Sequence, residues 1–265
     1  MTITDAPPSE TAPTRPGRRR APARIGWVAI TLTSLAIVAF AVTPYLTATL
    51  AESSGGLAPA YAEKSAFVQT ALYVHIVAGG LALLAGPWQF AAGLRRRRPG
   101  LHRAVGKVYV GAVLVGGVAG LLLAPFNTAG LVGTAGFGTL AVLWLWTTWR
   151  GYRAIRGGDV RSHQSWMIRS FALTYAAVML RVWTGLGVAL YAVVVGDSFD
   201  FEAAFEDVYL LVPFLCWLPN VVVAEILLRR RGLPALRIVD GGSPARVADR
   251  APTAALTTTG RGAAG

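Results

Sequence analysis

Six stretches of the chain are each apolar over a length close to that of a membrane span. A helix needs about 20 apolar residues to cross a hydrocarbon core about 30 Å thick. In lipid, only a helix or a closed barrel satisfies the backbone polar groups of such a stretch. The pattern therefore predicts an all-α, polytopic membrane helical bundle of six transmembrane helices, over Ile25–Leu46, Val68–Gly93, Ala104–Pro125, Leu131–Trp149, Met167–Val194 and Val208–Leu228.

The distribution of Lys and Arg predicts how these spans are threaded. If the amino terminus is inside, only Lys64 and Arg181 of the 25 cations lie in the outer half, and the acidic run Gly196–Asp207 is outside. The opposite threading would place nearly every cation on the outside, against the positive-inside rule. Both termini are therefore predicted to be cytoplasmic, together with the basic clusters Arg15–Arg24, Arg95–Arg103, Arg150–Arg161 and Arg229–Arg231.

The remaining composition limits the partners of the chain. Residues 1–23 and 232–265 lack apolar periodicity and are predicted to be disordered tails around a transmembrane domain, residues 24–231, whose four-helix core is about residues 68–194. The net charge of +12 is spread over short turns, which argues against nucleic acid and favours contact with anionic lipid headgroups. One cysteine excludes an internal disulfide, and hydrolase or ATP-pump motifs are missing from the sequence.

The second and fifth predicted spans each carry a helical face of small and polar residues. Residues three or four positions apart lie on the same face of a helix. From His75 this face continues through Gly and Ala residues to Gln89, and from His163 the corresponding face continues to Arg181. Ionisable residues in lipid are costly and are functional candidates by default. A rise of about 1.5 Å per residue places His75 and Arg181 at a matching depth, about 9 Å below the outer face, where the two side chains can meet.

The neighbouring spans offer Arg181 no acidic partner, and its charge can be satisfied in three ways. Asp197, Asp200 or Asp207 of the outer loop, or a carbonyl, neutralises the guanidinium as a structural contact. Alternatively, the guanidinium binds an anionic ligand, or the side chain extends to the outer interface.

Two polar residues of the last span are predicted to have structural roles. Glu225 precedes Arg229 by four residues, which predicts a local ion pair, with Arg169 or Lys107 as alternatives across the bundle. Asn220 follows Pro219 and is predicted to satisfy a broken helix backbone.

Two predicted cytoplasmic turns resemble each other. RRRRPGLHRAVGKVY (Arg95–Tyr109) and RAIRGGDVRSHQSWMIRSF (Arg153–Phe171) each combine Arg, Gly and then His, namely His102 or His163. Facing imidazoles in a helical bundle can hold a haem iron or a metal, with Arg103 and Arg169 pairing with propionates. Alternatively, the two histidines cap helices in the headgroup layer, or they bind a proton, a quinone or another ligand.

Three segments carry a family resemblance: HIVAGGLALLAGPWQF (His75–Phe90), LHRAVGKVYVGAVLVGGVAGL (Leu101–Leu121) and HQSWMIRSFALTYAAVMLR (His163–Arg181). They resemble a bacterial family of predicted membrane proteins, domain of unknown function 2306. The resemblance covers about Tyr73 to Arg181 and implies a multi-pass protein of the bacterial inner membrane, without implying a reaction. The matching positions are His75, Gln89, His102, Arg103, Gly106, Tyr109, His163, Trp166, Arg169 and Arg181.

Two classes of function follow from these residues. The first is a protein that binds haem b, quinone or metal through His102 and His163, flanked by Arg103 and Arg169. The second is a non-catalytic transporter, sensor or assembly protein for a small molecule or anion, with ligand-binding residues His75, Arg181, Gln89 and Tyr109. Gly116 and Gly120 form a Gly-x-x-x-Gly pair that packs helices within one chain or in a homo-oligomer.

Overall fold

The structure, a computed structural model, describes residues 21–47, 50 and 58–236. Regular secondary structure in these residues is entirely helical. The α-helices are α1 (Ala21–Thr47), α2 (Ala58–Ala62), α3 (Ala66–Gln89), α4 (Ala92–Arg97), α5 (Pro99–Leu123), α6 (Gly130–Arg156), α7 (Val160–Thr174), α8 (Ala176–Val195), α9 (Phe201–Tyr209), α10 (Val212–Leu215) and α11 (Leu218–Arg230). Short 3-10 turns at Ala124–Phe126 and Gly196–Ser198 follow α5 and α8.

Six segments within the described residues are long and apolar enough to cross a membrane, which confirms the predicted multi-pass helical bundle. They are Arg24–Thr43, Ala66–Gln89, Pro99–Phe126, Gly130–Arg156, Val160–Ser198 and Val212–Arg230. The side of the membrane that each terminus faces stays a prediction. The predicted disordered tails fall largely outside the described residues.

Two of the six spans are interrupted. The fifth breaks at Tyr175, between α7 and α8, and the sixth predicted window begins in α9 and continues through α10 and α11. Pro213 and Pro219 lie in the first turns of α10 and α11. Proline lacks the backbone N–H that a helix interior requires but is tolerated in a first turn, so each proline marks a new helical start.

Small residues bring α3 and α5 together. A Cβ atom at Gly116 would lie 3.2 Å from the Cβ of Ala78 and 3.4 Å from the backbone nitrogen of Gly79. Glycine is therefore required for this close approach, as small-residue packing in membranes predicts. Gly120, one turn later, faces the ring of His75 instead of another backbone. Both glycines of the Gly-x-x-x-Gly pair thus serve packing within the chain, and a homo-oligomer stays untested.

The break at Tyr175 is stabilised from a distant helix. The side-chain amide of Asn220 donates to the carbonyl of Ala172 at 3.1 Å and to that of Cys216 at 3.0 Å. Ala172 lies in the last turn of α7, where carbonyls lose their partners in the helix. Asn220 therefore has the structural role predicted from its position beside Pro219.

α7 begins with a side-chain cap and ends near the break. The carboxylate of Asp159 accepts a hydrogen bond from the backbone N–H of Ser162 at 2.9 Å. Hydrogen bonds from Ser162 hold the pKa of the exposed Asp159 below its ordinary value. This cap fixes the first turn of α7, which carries His163.

We predict that Asn220→Ala lowers the free energy of unfolding by about 1–2 kcal/mol, because it leaves the Ala172 carbonyl unpaired in apolar surroundings. Chemical denaturation of the protein in detergent micelles measures the change. Val222→Ala, at an exposed position of α11, is the matched control, and we expect it to cost less than about 0.5 kcal/mol. Equal losses for the two variants would contradict the role given to Asn220.

Candidate functional site

His163 is held in one orientation by the neighbouring helix. Its Nδ1 atom lies 2.8 Å from the carbonyl oxygen of Gly151 in α6. A carbonyl only accepts, so Nδ1 carries the proton and the lone pair of the neutral ring is on Nε2. A Cβ at position 151 would lie 2.6 Å from the sulfur of Met167, so a glycine there permits the close approach of α6 and α7. Metal-binding imidazoles are commonly oriented by such a bond.

His102 lies at the same end of the bundle, in the first turn of α5. His163 and the guanidinium groups of Arg95 and Arg103 lie within electrostatic range of its ring. The Nδ1 atom of His102 is buried and has no hydrogen-bond partner in the described part of the chain. The two histidines that the turn comparison singled out thus lie at one end of the bundle, within electrostatic range of each other.

Gln89 completes this group, which we call the histidine cluster: Gln89, His102 and His163. The Oε1 atom of Gln89 lies against α5, where a Cβ at Gly106 would be 3.1 Å away. Its Nε2 atom is buried and without a partner in the described residues. Buried polar groups are nearly always hydrogen-bonded, so two unpaired nitrogens at one end of the bundle require an explanation.

Arg169 is engaged in an ion pair across the bundle. Its Nε atom lies 2.5 Å from Oε1 of Glu225, and its Nη2 atom lies 3.1 Å from Oε2. The guanidinium also lies over the Trp166 ring, with Cζ 4.7 Å from the ring centroid. Arg169 is therefore not free to pair with a propionate. Arg103, the other arginine predicted beside a cofactor, is exposed on α5.

The predicted local pair between Glu225 and Arg229 is wrong. Arg169 is only 5% exposed and needs a counter-charge, and its planar group accommodates both carboxylate oxygens. Arg229 instead donates to the carbonyl of Leu236 at 3.1 Å. Arg169–Glu225 is the only ion pair within the described residues.

The segment Gly232–Leu236 covers this ion pair. The backbone N–H of Leu236 donates to Oε2 of Glu225 at 2.9 Å, and the carbonyl of Pro234 accepts from Arg169 at 3.1 Å. Arg161 donates to the carbonyl of Gly232. The first residues beyond α11 thus satisfy charged groups of the bundle.

A hydroxyl network lies in the centre of the bundle and includes Tyr109. The Tyr109 hydroxyl lies 2.7 Å from Oγ of Ser170 and 2.8 Å from Oγ1 of Thr174. Thr148 of α6 lies 2.6 Å from Oγ of Ser170, and the Trp144 indole donates to Thr174 at 2.9 Å. Tyr109 is 1% exposed, and these bonds join α5, α6 and α7. The ligand-binding role that the sequence indicated for Tyr109 stays a prediction.

His75 and Arg181 lie on the other side of this network. Nδ1 of His75 lies 2.8 Å from the carbonyl of Gly116, and a Cβ at Gly120 would touch the ring at 2.9 Å. The Arg181 guanidinium lies within electrostatic range of His75, and a direct meeting of the two side chains stays a prediction. Its Nη1 atom donates to the carbonyl of Ala177 at 2.7 Å.

The carboxylates predicted for Arg181 do not reach it. Asp197, Asp200 and Asp207 form no ion pair with Arg181 in the structure. Asp200 instead caps α9, accepting from the backbone N–H groups of Glu202 and Ala203. Of the contacts that the sequence allowed for Arg181, the bond to a carbonyl is the one that forms.

Several residues of these groups were not found from the sequence. Trp144 and Thr148 belong to no recognisable sequence motif. Only the rarity of polar groups in an apolar span could have identified them as candidates. Gly151 orients His163, and its role depends on the packing of α6 against α7.

The comparison with known families agrees with this architecture. The family described as predicted membrane protein, domain of unknown function 2306, matches residues 72–228, and the chain belongs to it. The match contains the histidine cluster, the hydroxyl network, His75 and Arg181. Searches among curated proteins and among solved structures found no match.

We predict that Tyr109→Phe lowers the free energy of unfolding by about 1–3 kcal/mol, because two buried hydroxyl groups lose a partner. Unfolding in detergent measures the loss. Tyr152→Phe removes a hydroxyl from an exposed tyrosine and serves as the control. A loss no greater than that of the control would exclude a structural role for the Tyr109 hydroxyl.

We predict that Arg169→Met and Glu225→Leu each cost about 3–5 kcal/mol, because each leaves one buried charge unpaired. The double variant removes both charges, so we expect it to be less destabilised than either single variant. A double-mutant cycle of unfolding free energies tests the pair. Simple additivity of the two losses would show that the charges are not coupled.

Proposed function

We propose that this membrane protein binds one b-type haem at the histidine cluster, with His102 and His163 as the two axial ligands. Family membership supports a multi-pass membrane protein and gives no reaction. The proposal therefore depends on the chemistry of the residues at this end of the bundle. When bound, a haem of this kind supplies one-electron chemistry.

The orientation of His163 is the observation that carries the proposal. Its Nδ1–H donates to the carbonyl of Gly151, which leaves the lone pair of Nε2 for a ligand. This bond fixes the tautomer that metal binding requires and raises the basicity of the ring.

His102 supplies the second imidazole. It lies within electrostatic range of His163, and the two residues belong to α5 and α7, which the hydroxyl network joins. Facing side chains on adjacent helices are a common arrangement for cofactor sites in bundles. Arg95 and Arg103 lie within electrostatic range of His102 and supply positive charge for the two propionates. Arg169 is engaged by Glu225, so we assign it no contact with the cofactor.

A quinone headgroup is the second candidate. The unpaired Nε2 of Gln89 and Nδ1 of His102 favour it, because a quinone carries two carbonyl oxygens that accept hydrogen bonds. This candidate uses the same residues without axial ligation. It therefore predicts a different spectrum from the haem.

We expect the protein, expressed with haem supplied and purified in detergent, to show a Soret band and sharp α and β bands after reduction with dithionite. His102→Ala and His163→Ala should each abolish these bands, because the iron loses an axial ligand. His75→Ala, on the other side of the hydroxyl network, should retain them. Added imidazole should restore part of the spectrum in a folded His→Ala variant.

A flat visible spectrum in well-folded protein would overturn the haem proposal. In that case, extraction and chromatography of co-purified lipids test the quinone candidate. Gln89→Leu should then reduce the amount of bound quinone, while the exposed control Val108→Ala should not.

A further inference from the structure

We propose a second binding site, on the other side of the hydroxyl network, which holds the phosphate or carboxylate group of a ligand against Arg181. We call it the arginine cluster: Arg181 and Thr184 of α8, with Tyr45 of α1 and Tyr209 of α9. The site does not depend on haem or quinone binding at the histidine cluster.

The first argument is the charge of Arg181. Within the described residues its side chain makes one hydrogen bond, to the carbonyl of Ala177 in its own helix. Among the described residues no carboxylate pairs with it, in contrast to Arg169. A guanidinium group offers five N–H donors, and leaving a partly buried one without a counter-charge is costly. An oxyanion supplies both the charge and the missing acceptors.

The second argument is Thr184, whose hydroxyl is buried and has no partner in the described part of the chain. Helical threonines normally bond to the carbonyl four residues earlier. Seven others in this chain do so, namely Thr31, Thr33, Thr47, Thr134, Thr147, Thr148 and Thr174. Thr184 follows Arg181 by three residues and therefore lies on the same side of α8. Its hydroxyl is free to donate to a ligand bound at Arg181.

Among the described residues, the surroundings of Arg181 contribute phenols and no acid. The side chains within its electrostatic range include Tyr209, Tyr45, Cys216 and His75. A neutral phenol can donate to an anion, whereas an acidic neighbour would repel it. The cluster is therefore suited to an oxyanion and unsuited to a cation. A free small anion and the phosphate of a lipid headgroup present the same chemistry to it.

The test measures the melting temperature of the full chain, purified in a phosphate-free maltoside detergent. Sodium phosphate and sodium acetate are titrated against sodium chloride at constant ionic strength, and phosphatidylglycerol is added in a separate series. We expect at least one of these ligands to raise the melting temperature, because a ligand that binds only the folded state stabilises it.

Arg181→Gln should abolish the shift, and Arg181→Lys should retain part of it because the positive charge remains. Thr184→Val, which preserves the shape of the side chain, should weaken binding about tenfold through the loss of one hydrogen bond to a charged group. Arg153→Gln at an exposed site of α6 and Thr31→Val in α1 are matched controls, and both should respond like the unmodified protein.

A shift with phosphate or acetate that requires Arg181 identifies a free anion as the ligand. A shift with phosphatidylglycerol alone that requires Arg181 identifies a lipid headgroup, and both results support the site. If none of the three ligands gives a shift, or if Arg181→Lys and Thr184→Val respond like the controls, the proposal is overturned. If Arg181→Gln does not fold, the responses of Arg181→Lys and Thr184→Val still support or overturn the proposal.

Discussion

The bundle depends on Ser170, whose hydroxyl contacts the side chains of two other helices. Tyr109 of α5 and Thr148 of α6 each lie within hydrogen-bond distance of it. In lipid the hydrophobic effect does not drive helices together, so association depends on close packing and on bonds of this kind. The network fixes α5 and α7 relative to each other, and these helices carry His102 and His163. The geometry of the histidine cluster therefore follows from hydroxyl groups that take no part in binding.

The break at Tyr175 separates the two groups of polar residues. α7 carries His163, Arg169 and Ser170, whereas α8 carries Arg181 and Thr184 of the arginine cluster. The hydroxyl network ends at Thr174, the last residue of α7, and Asn220 bonds to the carbonyl of Ala172 just before the break. Each half of this long span is thus attached to different neighbours.

The sequence was sufficient to predict the class of fold, because apolar length and backbone hydrogen bonding allow few alternatives in a membrane. The structural role of Asn220 also followed from its position beside Pro219. The partner of Glu225 did not, because the choice between Arg229 and Arg169 depends on how α7 packs against α11. The hydroxyls that bond to Tyr109 could not be identified from the sequence for the same reason, since they come from another helix. Thr184 became informative only when its hydrogen bonds could be compared with those of other threonines.

The cover that Gly232–Leu236 forms over Arg169 has a consequence for biosynthesis. A ribosome makes Arg169 some 56 residues before Glu225 and more than 60 before the backbone groups that complete its contacts. Until the final helix leaves the translocon, the fifth span carries a cation whose counter-charge does not yet exist. The order of synthesis therefore leaves this arginine without its carboxylate partner until Glu225 has been made. The last membrane segment acts as the closing step of assembly, and a nascent chain halted before it leaves that charge uncompensated.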